Sequence, residues 1–101
     1  MTEFDLRHGD CIDAIHWLHD RTGDPKLPAL AARIHANMAK WREGVINLHN
    51  VNIAQGFREP TQFWAQDPAP ELRAGAERNY RWIMDRVGQF PGGGFAGDEN
   101  V

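Results

Sequence analysis

The side chains of this sequence whose types and spacing offer chemistry fall into three groups: five histidines, one cysteine, and a pair of carboxylates closing a glycine-rich stretch. His16 and His19 stand three apart, a spacing that puts both on one helix face, where two imidazoles can approach one metal ion. A zinc site needs three or four ligands. No third is evident near them, so hydrogen-bonded or solvated histidines are the better reading, and no metal-ligating set is assigned. His8 sits in a polar stretch with nothing to orient it, and His35, beside Ile34, reads as a helix-surface residue. His49 falls within Leu48-His49-Asn50-Val51-Asn52, where several hydrogen-bonding side chains gather at the start of a helix. Spacing alone favours a capping role for it. Cys11 is followed by Ile12 and lies near Ile15, so it reads as a small buried apolar residue. A single cysteine makes neither an internal disulfide framework nor a thiolate-rich zinc site.

The segment from Gly88 to Val101 holds five glycines and shows no periodicity, which marks residues 89–101 as a loop or tail. Gly92-Gly93-Gly94 is a poor match to a phosphate cradle, which needs a strand before it and a helix after it. Gly97-Asp98-Glu99-Asn100 delivers two adjacent carboxylates on a flexible approach. A carboxylic acid on a loop at the mouth of a helical barrel is one way to place a general acid for glycoside cleavage. Composition alone favours an acidic terminus without fixed structure. Four tryptophans, one tyrosine and five phenylalanines are available to stack on sugar rings. An aromatic at helical spacing is more often core, and Trp41, which continues an apolar stripe, is expected to be buried.

The elements that must position these residues are helices. One is expected from Asp10 to Arg21, with Ile12, Ile15 and Leu18 inward and Asp10 as N-cap. Thr22-Gly23-Asp24-Pro25 stops it and starts the next, because Gly permits a left-handed residue and Pro suits a first helical turn. That second helix carries the stripe Leu27, Leu30, Ala31, Ile34, Met38 and Trp41. A third starts near Asn47 with Leu48, Val51, Ala54 and Phe57 on one side, and Pro60 kinks or breaks it. Asp67-Pro68 repeats the stop-and-start device before a fourth helix bearing Leu72, Ala76, Tyr80, Ile83 and Val87. Adding 42 to Leu30, Ile34, Met38 and Trp41 lands on Leu72, Ala76, Tyr80 and Ile83. A repeat of that length made of two helices suggests stacked hairpins.

Composition narrows the rest. The chain has 101 residues, 42% apolar and 25% charged, with a formal net charge of −3. That is one domain's worth of globular sequence. Without a basic block, nucleic-acid binding has little electrostatic support, and no apolar run approaches the roughly 20 residues of a membrane span. The polar start MTEFDLRHGD lacks the apolar stretch of a signal peptide, which tilts the expectation slightly towards the cytoplasm.

Two long runs then carry a resemblance. Leu48-His49-Asn50-Val51-Asn52-Ile53-Ala54-Gln55-Gly56-Phe57-Arg58-Glu59-Pro60 and Gly88-Gln89-Phe90-Pro91-Gly92-Gly93-Gly94-Phe95-Ala96-Gly97-Asp98-Glu99-Asn100 resemble glycoside hydrolase family 127. Trp17-Leu18-His19-Asp20-Arg21-Thr22-Gly23-Asp24-Pro25 looks like a hairpin turn of the same domain. The resemblance implies an all-α fold in which residues 1–101 form two to three helical hairpins of an (α/α)6-barrel catalytic domain, with 89–101 as an active-site loop. It also implies a retaining hydrolase of β-L-arabinofuranosides or related sugars, in which a zinc-bound cysteine thiolate is the nucleophile and a glutamate the acid/base. By motif, Glu99 resembles that catalytic glutamate and His49 a histidine contacting the substrate sugar. In the family a Glu-Thr-Cys motif and a later Cys-Cys pair follow the acidic loop. This sequence stops at Val101 before either, and Cys11 matches none of those positions. The nucleophile and the zinc ligands are therefore missing, and the chain alone is expected to be inactive.

Two other readings compete. One is a stand-alone helical-hairpin module that binds a partner protein and catalyses nothing. The other is self-association through exposed apolar faces, with hairpins from several copies closing a ring. A self-contained module has little use for a conformationally costly glycine loop ending in paired carboxylates, which favours the barrel.

Overall fold

A computed structural model describes residues 6–89 and 91–97. These form five α-helices: α1 (Ile12–Thr22), α2 (Lys26–Asn37), α3 (Asn50–Gly56), α4 (Glu59–Trp64) and α5 (Pro70–Val87), with 3-10 turns at His8–Cys11 and Trp41–Glu43. The fold is all-helical. Among the described residues the extended pairing is a lone antiparallel bridge between Gly88 and Phe95.

The start and stop signals act largely where the sequence puts them. Gly23 closes α1 in the left-handed conformation (φ 67°), its N–H bonded to the His19 carbonyl, as an unbranched residue allows. The Asp24 carboxylate accepts the Lys26 N–H at 2.9 Å and so satisfies one of the open amides at the start of α2. The break before Pro60 falls at Phe57 and Arg58, and the proline sits in the first turn of α4, where its missing N–H costs nothing.

Three local expectations are corrected. Asp10 does not cap α1; it lies inside a 3-10 turn and its carboxylate accepts a hydrogen bond from Gln55 at 3.3 Å. The second helix ends at Asn37 rather than reaching Trp41, because Met38 turns extended (φ −94°, ψ 173°). The 42-residue correspondence does not carry burial with it, since Leu30 is 44% exposed where Leu72 is 3%. α1 and α2 pack on each other and on α4, whereas α5 packs chiefly on α4 and the Trp41 turn, so equivalent helices meet different neighbours.

Two apolar clusters hold this arrangement. Ile12, Ile15, Ala31, Phe63 and Leu72 join α1, α2, α4 and α5. Leu6, Met38, Ala39 and Trp41 form the second, and Ile34 touches both. Trp41 is fully enclosed as expected, although it stands on a turn. Its indole N–H donates to the Leu6 carbonyl at 3.0 Å. Its carbonyl accepts from Asn79 at 2.9 Å, and the same amide donates to the Phe57 carbonyl at 3.0 Å. Asn79, itself buried, thus links the Phe57 carbonyl to the Trp41 carbonyl, which also accepts the Gly44 N–H at the end of its own turn.

Candidate functional site

His49 is the residue at which α3 begins, but it does not cap that helix through its side chain. The capping reading is therefore corrected. The imidazole is instead packed inward, leaving 9% of the residue exposed. Around it three asparagines do the polar work. The Asn47 side-chain oxygen accepts the His49 N–H at 2.8 Å and the Asn52 side-chain amide at 3.0 Å. Asn52, fully buried, accepts Arg7 Nε–H at 2.6 Å. Among the described residues His49 Nδ1 is buried with no hydrogen-bond partner, a costly state for a ring nitrogen.

The third asparagine reaches the glycine-rich stretch. The Gly97 N–H donates to the Asn50 side chain at 3.0 Å. A Cβ on Gly97 would overlap the Leu48 carbonyl and approach Asn50 Cα to 3.2 Å, so only glycine lets the two backbones come this close. The approach is tied at its other end as well. Gln89 N–H donates to the Gly94 carbonyl at 2.9 Å, and Ala96 N–H to the Val87 carbonyl at 3.0 Å. Through Gly97, then, this segment is folded back onto the end of α5 and the start of α3. Gly97 lies two positions before Glu99 and packs on the backbone either side of His49. Glu99 itself, the predicted acid/base, falls outside the described residues.

No protein-family model, curated protein or solved structure matches this chain. What the site can do rests on its own geometry. No helix among the described residues is long and apolar enough to cross a membrane. Among those residues no three His, Cys, Asp or Glu side chains converge on a point that would hold a metal ion. His16 bonds Gln66 Oε1 at 2.7 Å. Gln66 spends its amide on the Pro28 carbonyl, so its oxygen is the acceptor and His16 Nε2 is the donor.

A buried pair that the sequence did not announce lies elsewhere. His35, expected on the surface, stacks on Phe63 with ring centroids 3.9 Å apart and planes 6° from parallel. Its Nδ1 makes a short contact with the Glu59 carboxylate, whose residue is only 1% exposed. Arg42 Nη1 lies 3.4 Å from Nε2. A guanidinium only donates, so Nε2 accepts and Nδ1 carries the proton shared with Glu59. Both ring nitrogens are committed, which makes this an internal tie rather than a reactive site. Nothing local marks Glu59, because an acid in a helix's first turn ordinarily faces water. Only the absence of a side chain on Gly9, which packs against Glu59, makes room for it.

Cys11 is exposed, not buried. Partial desolvation of its sulfur, with the neighbouring Asp10 carboxylate adding to it, nevertheless holds the thiol above its ordinary pKa, against a smaller opposing effect from a backbone hydrogen bond. The thiolate is the nucleophile. Alkylation by iodoacetamide at pH 7.5 is therefore expected to run more slowly than for glutathione and to accelerate as pH rises. Mass-spectrometric rates at pH 7.5 and 9.5 check this. A rate at pH 7.5 equal to that of glutathione would contradict it.

Proposed function

We propose that this chain supplies the sugar-contacting part, and the general acid, of a retaining glycoside hydrolase acting on β-L-arabinofuranosides or related sugars, built as a segment of an (α/α)6-barrel. The observation that carries the reading is the Asn50–Gly97 hydrogen bond. It ties Gly97, two positions before Glu99 in the sequence, to the turn of backbone bearing His49. On this reading His49 orients the sugar through a ring whose Nδ1 has no partner among the described residues. Glu99 protonates the departing glycosidic oxygen. These side chains, on this reading, bind, orient and transfer a proton, while the thiolate nucleophile and the zinc that the resemblance implies are supplied from elsewhere in the complete domain.

The stand-alone interaction module has its own support. Trp17, Leu18 and Leu30 on the α1–α2 hairpin, and Ile46, Leu48 and Val51 around the start of α3, are all more than a third exposed. A neighbouring hairpin would cover such residues, and so would a partner protein.

Titrating the isotopically labelled chain with an aryl β-L-arabinofuranoside separates the two. Saturable shifts of the His49, Asn50 and Gly97 resonances are expected, lost in His49→Ala with the remaining spectrum unchanged. Without a nucleophile, no aryl alcohol is released, and metal analysis finds no stoichiometric zinc. If those resonances stay still at saturating glycoside, the sugar reading is wrong; turnover by the chain alone would overturn the division of labour.

A further inference from the structure

The contact between α1 and the α3–α4 segment is unusual in being polar along its open side. Asp10, Asp13 and His16, each three residues apart, meet Gln55, Gln62 and Gln66 respectively in three side-chain hydrogen bonds of 3.3, 2.8 and 2.7 Å. The middle rung borders a groove of about 440 Å³ between α1, α4 and α5. It is lined by the polar side chains of Asp13, His16, Arg58, Thr61 and Gln62 and by Ala65 and Ala76; His16 already donates its Nε2–H to Gln66.

The charged pair at the mouth is held apart. Asp13 Oδ2 takes the Gln62 amide, and Arg58 Nη1 stays 4.0 Å from that oxygen, beyond hydrogen-bond reach. Both side chains are roughly half exposed, at 59% and 51%, so little of their bonding capacity is spent on each other. Gln62 is fixed from the other direction. With its nitrogen donated to Asp13, its oxygen is buried and has no donor among the described residues. Thr61 is fully used, donating to the Leu72 or Arg73 carbonyl and accepting the Ala76 N–H, which makes it a rigid wall.

The chemistry that fits is an adjacent pair of hydroxyls. One hydroxyl donates to the Asp13 carboxylate while its neighbour accepts from the Arg58 fork, and a carbon face rests on the two alanines. An anion would be opposed by Asp13 and a cation by Arg58, whereas a neutral diol meets both. We infer that this groove binds the vicinal diol of a neutral sugar or polyol. It shares no residue with the His49 locality and does not depend on the hydrolase reading.

The test is a titration of the full chain, followed by nitrogen-resolved NMR of the Gln62 side-chain amide and Arg58 Nε–H. The probes are methyl β-D-ribofuranoside, which carries a cis diol, its 2-deoxy counterpart, which does not, and inorganic phosphate. Saturable shifts with the first probe alone are expected, with a dissociation constant of roughly 1–10 mM for so few contacts. Arg58→Lys keeps the charge but loses the fork, and is expected to weaken binding about tenfold; Asp13→Asn should do likewise, with both spectra otherwise native. Equal shifts from the 2-deoxy sugar, saturable phosphate binding, or no shift with any probe would each overturn the inference. The His49 resonances report separately in the same spectra, so failure at one site is distinguishable from failure at the other.

Discussion

Trp41→Ala is expected to destabilise the chain by about 3–5 kcal/mol, a large part of the whole stability of a domain this size. The indole is fully enclosed, packs with Leu6, Met38 and Ala39, and gives its N–H to the Leu6 carbonyl. Removing it leaves a cavity and one orphaned carbonyl. Gly56→Ala approaches the same site from the opposite direction, because a methyl group at Gly56 would overlap the Trp41 ring. Overpacking of that kind costs about 1–3 kcal/mol. Combining the two substitutions should recover part of the loss, since the new methyl enters space the indole has left. Urea unfolding followed by far-ultraviolet circular dichroism measures all three. A Trp41→Ala cost under about 1 kcal/mol would mean that the indole is solvated and the second cluster is not a core.

The second large effect belongs to His35 and Glu59. Truncating His35 to leucine strands a carboxylate that is almost wholly enclosed, and breaking one side of such a pair costs about 3–5 kcal/mol. Replacing both residues with leucine removes the stranded charge, so the double variant should be more stable than His35→Leu alone. A strictly additive cycle would show that the two side chains do not meet in solution. Neither outcome depends on any catalytic role, because both nitrogens of the ring are already occupied by Glu59 and Arg42.

Which parts of this fold could be read from the residues follows from how local their causes are. Gly23 and Asp24-Pro25 act within one turn of chain, and the α1–α2 junction lies where they put it. Pro60 likewise acts on its own turn. Trp41 was legible as buried from its place in an apolar stripe, but not as a turn residue. The helix ahead of it stops where the Asn37 amide donates back to the Arg33 carbonyl and Met38 swings extended. That decision is made by the pocket receiving Met38, not by propensity. The exposure of Leu30 and the burial of Glu59 are likewise set by what packs against them. A leucine on the far side of α2 has no helix against it, and an acid opposite Gly9 has nowhere to go but inward. At the candidate site, His49 was visible as a polar-flanked histidine. Its tie to residue 97 was not, because a hydrogen bond spanning 47 positions leaves no periodic trace.

Asn79 carries one more implication. Its single amide group closes off two carbonyls, at Phe57 and at Trp41, that were synthesised some twenty to forty residues earlier. The Trp41 carbonyl also accepts the Gly44 N–H within its own turn, whereas the Phe57 carbonyl emerges from the ribosome before the side chain that bonds it and stays hydrated until that side chain follows. Closure of the junction between α3 and α4 is therefore tied to the arrival of α5. Nascent chains halted upstream of residue 79 should be digested readily by protease, and those released beyond it should resist.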